Sequence, residues 1–566
     1  MTRRLVFYLV LPAMAVCAFG NSLAGRFVFD DIEHIIENPY IRSMSPPWGP
    51  LFHTSRPAVQ WSLALNYEIS GLAPWSYHVL NGLIHLAAAC VMLGVLRRIF
   101  ALQQNREIAA AADGLALASA VLWLVHPLQT ESVTYVIQRG ESLMGLFCLL
   151  TLYAFIRSLE SKRVVPWQSC SVLCCILGLT TKPIMAIAPL LVLIYDRTFV
   201  AHSFRAAWQA RWRYYLALFA TLALLPLILA GKTAEWAPTA GFSFESISPL
   251  TYAATQPEVM LRYLRLTFWP DALCLDYGWH PETRWTVIAL STAMIVALLG
   301  LSLREFRRRS ALGFAGAWFF LTLAPTSSFI PIADLIYEHR MYLALAAVLS
   351  VAVAGAFVFL QAATRRFDWL AQRRTAVQFG TIAVVALLLT GRTVLRNDDY
   401  ASEAAVWTTA LEVSPDSPRA HLNLGTALAQ KPRWTEAAHH FARAIEIRPN
   451  YAEAHYNLGN AQMALGDLPA AILSYRRALT ITPNDWQTHN NFGVALLKAH
   501  RPEDAAAEFN RTLQLNPACA SAHVNLGRIA QANGANDAAA YHFAQALLLQ
   551  PDSASARAAA SNPAPR

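Results

Sequence analysis

Hydrophobic residues are distributed unevenly along the chain, and their pattern changes near residue 396. Upstream, apolar runs of roughly 15–20 residues recur, each about long enough to cross a bilayer as a helix. Downstream, no run is that long, and apolar residues keep a helical period among alanines, asparagines and charged residues. The pattern predicts an all-α protein, with a polytopic membrane helix bundle over 1–395 followed by a helical arm.

The second half of the chain repeats itself every 34 residues. Pro415, Pro449, Pro483, Pro517 and Pro551 keep this step, as do an L-G or F-G pair, an alanine and an aromatic residue. This period and these positions are typical of tetratricopeptide repeats (TPRs), in which small residues let two helices approach and the aromatic fills the gap. We predict a linker with a degenerate half repeat at 396–415, four TPRs at 416–551 and a disordered tail at 552–566.

Eleven apolar segments are good candidates for membrane crossings. They lie near 5–24, 78–96, 114–127, 142–157, 166–180, 183–196, 214–230, 285–303, 311–326, 341–360 and 376–394. The piece 251–269 is also apolar but carries three charged residues. We predict an amphipathic helix at the outer surface there, because a crossing would place the arginine run at 304–309 outside the cytoplasm. For the first segment, a cleaved signal peptide is the alternative.

Composition and charge fit a membrane protein. Only 14% of the residues are charged, whereas a soluble protein carries about 25%. The net charge of +9 comes from basic residues in short runs between apolar stretches, which is typical of membrane loops and not of a nucleic-acid-binding surface. The eight cysteines fit no metal or disulfide spacing, and only Cys274 and Cys519 are expected on the solvent side.

The basic residues also predict an orientation. If the N-terminus is inside, the cytoplasmic segments hold twenty basic residues and the longer opposite loops hold ten. This bias follows the positive-inside rule. An odd number of crossings then places the TPRs outside the cytoplasm.

An unusual pair of carboxylates follows the first apolar segment. Asp30 and Asp31 stand between aromatic and aliphatic residues in the sequence FVFDDI. Partial burial and mutual repulsion raise the pKa of one member of such a pair, which suits a general base or two ligands of a divalent ion. The alternative is a helix cap, where aspartate is common.

Other charged residues gather in loops predicted to lie on the same outer side. They are Arg56, His126, Glu131, Arg139, Glu141, Lys182, Glu338, His339 and Arg340. Charges this close to apolar helix ends usually face a cavity or an interior partner. Lys182 could instead snorkel to the interface, and each loop alone could be a set of helix caps. Their gathering on one side predicts a shared outward-facing pocket.

Several ordered strings carry a resemblance to a known family. The strings FVFDD, RPAVQWSLALNY, WSYHVLNGLIHL, HPLQTESVTYVIQRGESL, TKPIMAIAPLLVLIYD and YEHRMYL resemble the transmembrane-and-TPR-containing (TMTC) O-mannosyltransferases and their bacterial relatives. The resemblance covers nearly the whole chain. It implies a C-type membrane glycosyltransferase fold that takes a sugar, here a mannose-like hexose, from a polyprenyl-phosphate carrier. It also implies that the reaction takes place on the periplasmic face of a bacterial inner membrane, or on the lumenal face of the endoplasmic reticulum membrane in a eukaryote.

The resemblance assigns roles to these residues. The essential acidic pair becomes Asp30 and Asp31, with Asp30 as base toward a Ser or Thr hydroxyl and Asp31 orienting it or binding a metal. A phosphate leaving group departs as an anion, so cations beside it are expected to stabilise the transition state. The candidate cations are Arg139, Lys182, Arg340 and, with less support, Arg56; the remaining pocket residues are His126, Glu131, Glu141, Glu338 and His339. A single displacement would invert the anomeric carbon, and relatives differ over a divalent ion.

Each TPR also carries an asparagine before its L-G or F-G pair. These are Asn423, Asn457, Asn491 and Asn525. In TPRs this position lies on the helix that lines the concave groove, and an amide offers both a donor and an acceptor. By analogy with the asparagine ladder of O-GlcNAc transferase, we expect the row to bind an extended polypeptide acceptor or a partner protein. The alternative is hydrogen bonding within the repeats.

Two other functions remain open at this point. The first is a non-catalytic, membrane-anchored TPR scaffold. The second is a transferase of the same fold that modifies a lipid or a surface glycan, with the TPRs recruiting a partner. A transporter fits poorly, because the charged residues cluster at one face and not at the bilayer midplane.

Overall fold

The computed structural model describes residues 2–45, 49–50, 54–230, 247–366, 372–552 and 557, with side chains from residue 9 onward. The chain divides into two compact units, Met1–Val406 and Trp407–Arg566. Throughout these described residues the secondary structure is helical, without a β-strand, which confirms the all-α prediction. Most of the predicted tail, 552–566, lies outside the described residues.

The first unit is a bundle of helices joined by short loops. Its helices are α1 Thr2–Phe19, α2 Pro57–Ser70, α3 Trp75–Ala101, α4 Arg106–Ala110, α5 Ala112–Leu124, α6 Thr130–Val133, α7 Arg139–Glu160, α8 Val164–Leu179, α9 Ala188–Phe199, α10 Phe204–Ala220, α11 Leu224–Leu229, α12 Pro249–Phe268, α13 Trp285–Arg307, α14 Ala311–Leu323, α15 Met341–Arg366 and α16 Arg374–Asp398. A further helix, α17 Glu403–Val413, runs across the boundary between the units.

Six of the described helical segments are long and apolar enough to cross a membrane. They are Trp75–Ala101, Val136–Glu160, Phe204–Leu229, Trp285–Arg307, Glu338–Arg366 and Arg374–Asp398. Four shorter apolar helices overlap other predicted crossings: Leu9–Ala24, Ala112–Leu124, Val164–Leu179 and Ala311–Leu323. The chain is therefore a helical membrane protein, and the count of eleven crossings stays a prediction.

Ion pairs bring the arginine-bearing ends of several helices together. Arg98 at the end of α3 binds Glu160 at the end of α7, with Nε and Oε1 2.8 Å apart. Arg365 at the end of α15 pairs with Glu107 on α4 at 2.7 Å. Exposed pairs of this kind contribute at most about 1 kcal/mol each to stability. Their value here is that they show which helix ends lie together. We call it the arginine-rich end.

The second unit contains four antiparallel helix pairs. They are α18 Pro418–Ala429 with α19 Trp434–Ile447, α20 Ala452–Ala464 with α21 Leu468–Ile481, α22 Trp486–Lys498 with α23 Pro502–Leu515, and α24 Ala520–Ala532 with α25 Asn536–Leu549. A Cβ atom at Gly459 would lie 2.7 Å from the Tyr475 ring, and one at Gly493 equally close to the Phe509 ring. The glycines are thus required for the close approach of the two helices in each repeat.

The expectation that two cysteines face solvent is wrong. Cys274 is 1% exposed, since the loop after α12 folds inward, where the Cys274 N–H donates to the buried carboxylate of Glu338 at 2.7 Å. Cys519 is also buried, in a hydrophobic core formed by the second, third and fourth repeats. All eight cysteines are free thiols.

Candidate functional site

The buried member of the acidic pair holds two loops together. Asp31 is fully buried; its Oδ2 accepts the Val28 N–H at 3.1 Å and its Oδ1 accepts the Ile137 N–H at 2.8 Å. The second bond joins the loop after α1 to the turn before α7, 106 residues away in sequence. Burial raises the pKa of Asp31 to about 7, and the two N–H donors oppose that rise.

The other member of the pair, Asp30, is half-buried. Its backbone N–H donates to the Tyr135 hydroxyl oxygen at 3.0 Å, and the Tyr135 ring stacks on Tyr400 with centroids 6.0 Å apart. The preceding residue, Phe29, has φ of 49°, a left-handed conformation that an aromatic residue rarely adopts. Such strain persists where the surroundings enforce it and is frequent at functional sites.

A buried ion pair and a buried carboxylate–histidine hydrogen bond lie near each other beyond the acidic pair. Lys182 Nζ is 2.5 Å from Glu141 Oε2, and both side chains are buried. Glu131 accepts the His339 backbone N–H at 2.9 Å through Oε2, while its Oε1 lies 2.7 Å from His339 Nδ1. Lys182 also interacts electrostatically with Glu131. The structure therefore gathers four predicted pocket residues from three separate loops.

Burial sets the electrostatics of this cluster. It lowers the pKa of Lys182, against the attraction of Glu141, and it raises the pKa of Glu131, against hydrogen bonding from His339. Charges in such surroundings interact more strongly than in water, because little solvent screens them. We call Lys182, Glu141, Glu131 and His339 the buried ion cluster.

Arg56 joins this cluster from the start of α2. The Ala58 N–H donates to the Thr180 carbonyl at 3.1 Å, which fixes the beginning of α2 against the turn that carries Lys182. Arg56 is half-buried and lies close enough to Lys182 and His339 to interact electrostatically with both. Two of the four predicted cations, Lys182 and Arg56, are thus brought together.

The other two cations are engaged by the protein itself. Arg139 is fully buried and donates through Nε to Asn81 Oδ1 at 2.5 Å and through one terminal nitrogen to the Tyr77 carbonyl at 3.0 Å. Arg340 donates to the carbonyls of Leu335 at 2.9 Å and Asp334 at 2.7 Å, and so holds the loop before α15. Their assignment to the donor phosphate stays a prediction.

His126 makes local contacts at the end of α5. Its Nε2 lies 3.0 Å from the Thr267 carbonyl at the end of α12, and its Nδ1 accepts the Leu128 N–H at 3.2 Å. Nε2 therefore joins the end of α5 to α12, while Nδ1 holds the turn that follows α5. This predicted pocket residue serves as a structural link in the fold.

Glu338 is bound to residues that the sequence reasoning did not select. Its Oε1 accepts the Tyr277 hydroxyl at 2.9 Å and lies 3.4 Å from a terminal nitrogen of Arg396, and the pair is fully buried. The same Arg396 nitrogen is 3.2 Å from the Tyr400 hydroxyl oxygen. Tyr400 thus links this ion pair to Tyr135, the partner of the acidic pair.

A signal for Arg396 was present in the sequence. It stands at the end of the apolar segment 376–394, immediately before Asn397, Asp398 and Asp399. A cluster of polar residues at a membrane helix end is the feature that selected the other loops. The prediction of a linker with a degenerate half repeat over 396–415 gave Arg396 no role in the site.

The groove asparagines differ from one another. All four are half-buried, but Asn491 donates its amide to the Tyr456 hydroxyl and to Asn460 Oδ1, both at 3.0 Å. Within the part of the chain that the structure describes, the side chains of Asn423, Asn457 and Asn525 have no hydrogen-bond partner. Three of the four amides therefore stay open to a ligand.

The described side chains provide few ligands for a resident metal ion. Among the described residues, no group of three or more His, Cys, Asp or Glu side chains is arranged to hold one. Each oxygen of Asp31 already accepts a backbone N–H, whereas Mg²⁺ and Ca²⁺ take about six or more oxygen ligands. Around the acidic pair the described residues supply no third His, Cys, Asp or Glu ligand, and no step of the proposed reaction uses a metal ion.

Fold and site together define a polytopic helical membrane protein with a buried polar site and a TPR unit. The family model described as Tetratricopeptide repeat matches residues 388–452, 433–485 and 490–561. Curated relatives include the Caenorhabditis elegans Protein O-mannosyl-transferase F38B6.6, 24% identical over 74% of this chain and 59% of the relative. Human TMTC4 is 26% identical over 76% of this chain and 65% of the relative, and human TMTC1 24% over 76% and 54%.

These relatives confirm the resemblance seen in the motifs: the chain is homologous to the TMTC protein O-mannosyl-transferases. Because the second unit is Trp407–Arg566, a match over 74% of the chain extends well into the membrane unit. The chain spans 59% and 65% of the lengths of the first two relatives. Among solved structures, the crystal structure of MamA is similar at 20% identity with a TM-score of 0.26, covering 29% of this chain and 94% of that one.

Proposed function

We propose that the protein is a membrane glycosyltransferase that moves a mannose-like hexose from a polyprenyl-phosphate carrier to Ser or Thr hydroxyls of an extracytoplasmic polypeptide. The observation that carries this proposal is the acidic pair. Half-buried Asp30 stands beside fully buried Asp31, which two backbone N–H groups hold in place. The homologous protein O-mannosyl-transferases support the reaction class.

The chemistry is a single displacement at the anomeric carbon. Asp30 accepts the proton of the acceptor hydroxyl as its oxygen attacks that carbon. The bond from the carbon to the phosphate oxygen breaks, and its electron pair leaves with the polyprenyl phosphate. The configuration at the carbon inverts. Asp31 does not touch the sugar; it fixes the loop that presents Asp30.

Lys182 and Arg56 are the cations we assign to the departing phosphate. A preorganised positive charge in a site of low dielectric stabilises an anion that develops in the transition state. Glu141 and Glu131 balance these charges while no substrate is bound. The donor phosphate then competes with Glu141 for the ammonium group of Lys182.

The proposed orientation places the N-terminus in the cytoplasm and the TPR unit in the periplasm or lumen. The excess of basic residues in the loops of the arginine-rich end supports it. In this orientation the acidic pair and the TPR groove share one side of the membrane. The open amides of Asn423, Asn457 and Asn525 are then available to bind the backbone of an extended acceptor.

The test is transfer in vitro by the full-length protein in detergent, with polyprenyl-phosphate mannose and a Ser/Thr-rich peptide. Asp30→Asn is expected to lose about 10²–10⁴-fold in kcat, the usual contribution of a general base. Glu33→Gln is the matched control, because Glu33 is an exposed acid three residues further along the same loop. Transfer that survives Asp30→Asn at the wild-type rate would remove the assignment of the base. Transfer of the sugar to lipid but not to peptide would be compatible with the fold but would show that the acceptor is a lipid.

A further inference from the structure

A cavity lies within the membrane unit, and its lining does not include the acidic pair. It has a volume of about 400 Å³ and lies between α3, α7, α14 and α15, with Leu96, Leu149, Phe314 and Ala347 in its walls. Phe100 at the end of α3, Gln103 just after that helix, and Ala311, the first residue of α14, line it together. This places the cavity in the half of the bundle that contains the arginine-rich end.

The cavity offers almost no hydrogen bonds to an occupant. Ser350 Oγ donates to the Ala346 carbonyl at 2.6 Å, and Trp318 Nε1 donates to the Leu343 carbonyl at 2.9 Å. The amide of Gln103 donates to the Ile99 carbonyl at 2.7 Å. The remaining lining is aliphatic and aromatic. An occupant without polar atoms, such as a hydrocarbon chain, therefore loses no hydrogen bond on entering.

One side of the cavity opens toward the surroundings of the bundle. Leu312, Val351 and Val358 line it and are 45%, 38% and 43% exposed. Gly355 stands among them, and a Cβ atom there would meet nothing within 4 Å. Val351, Gly355 and Val358 belong to a helix long and apolar enough to cross a membrane. The opening thus faces lipid.

A positive charge stands three residues before Leu312, which lines this opening. Arg309 precedes the lining residue Ala311 by two positions and is exposed. Within the described residues, its guanidinium makes no ion pair or hydrogen bond, and it lies close enough to another cation, Arg197, to interact with it electrostatically. A cation at a membrane surface, unpaired by the protein, attracts an anionic headgroup.

We propose that this groove holds an acyl chain of an anionic phospholipid from the membrane, with the lipid phosphate against Arg309. The apolar walls accept the chain, the lipid-facing opening admits it, and the charge selects the headgroup. The lipid is distinct from the polyprenyl-phosphate donor, whose phosphate belongs at the opposite end of α15, beside His339. The site does not depend on the proposed transferase activity.

Native mass spectrometry of the full-length protein in detergent, with dioleoylphosphatidylglycerol or dioleoylphosphatidylcholine added, tests this site. Wild type is expected to retain the anionic lipid preferentially. Gly355→Leu fills the opening; displacing about two buried methylene groups lowers retention about tenfold. Gly300→Leu is the matched control, because Gly300 is also exposed on an apolar helix with nothing within 4 Å of a Cβ atom. Arg309→Gln is expected to abolish the preference between the two lipids.

Four results would overturn the proposal. Gly355→Leu could retain phosphatidylglycerol as wild type does, or wild type could bind both lipids equally. Polyprenyl phosphate could displace phosphatidylglycerol at equal concentration, which would assign the groove to the donor. A loss of lipid in Gly300→Leu equal to that in Gly355→Leu would count against the groove as well.

Discussion

Variants of the ion pair between Lys182 and Glu141 can separate an effect on donor binding from an effect on folding stability. The two residues are 9% and 3% exposed, and their charged atoms are 2.5 Å apart. Removing one partner of a buried pair costs about 3–5 kcal/mol, because the other charge is left without compensation. Replacing both with apolar residues of similar volume is often neutral. Lys182→Met should therefore destabilise the protein strongly, and Lys182→Met with Glu141→Leu much less.

The proposed role in phosphate binding predicts a different pattern for activity. A hydrogen bond to a charged group contributes about 1.5–3 kcal/mol, so loss of the Lys182 ammonium should raise the donor KM by about tenfold to a hundredfold. Both variants that lack the lysine should show this rise, whatever their stability. Glu141→Gln keeps the lysine and should leave the donor KM near or below the wild-type value.

The assay pairs thermal unfolding in detergent with initial transfer rates over a range of donor concentration. The informative protein is the double variant, since its stability is expected to be close to wild type. If it recovers both the melting temperature and the donor KM, then Lys182 only balances Glu141. That outcome would refute the assignment of Lys182 to the donor phosphate.

Three further outcomes are expected. Burial raises the pKa of Asp31 to about 7, from about 3.9 in an unfolded chain, so the folded state binds more protons between these values. The free energy of unfolding should therefore fall as pH rises from about 4 to about 7 and stay constant above that. In Asp31→Asn the melting temperature should depend less on pH over this range. The same pH dependence in wild type and variant would contradict the prediction. Gly459→Val places a Cβ 2.7 Å from the Tyr475 ring and should destabilise the protein by about 1–3 kcal/mol. Circular dichroism should then show the repeats unfolding at a lower temperature. An unchanged unfolding temperature would argue against this packing. Arg396→Met leaves Glu338 buried without its partner and should cost about 3–5 kcal/mol, whereas Arg396→Lys should cost less; equal losses in the thermal melt would show that charge is not what matters there.

Local patterns in the sequence predicted the architecture. The 34-residue period identified the repeats, and the structure places a glycine against an aromatic ring in each of them, as at Gly459 and Tyr475. Apolar runs identified the membrane helices, and the polar loops between them supplied Lys182, Glu131 and His339. Hydrophobic periodicity needs only neighbouring residues, so it can be seen without the fold.

The partners of the site residues depended on the tertiary structure. Glu131 and His339 are 208 residues apart in sequence, and Asp31 reaches Ile137 across 106. Nothing in the local pattern distinguished Arg139, which the fold uses internally, from Lys182, which it places among other charges.

In the TPR groove, too, the local pattern did not distinguish the asparagines. Asn491 occupies the same repeat position as its three counterparts, but its amide is hydrogen-bonded to the preceding repeat. The sequence by itself determined which residues form helices and which end of the bundle is polar. Only the packing of helices that are distant in sequence decided which charges meet, because a hydrogen bond needs its partners at about 3 Å and that distance is set by tertiary structure.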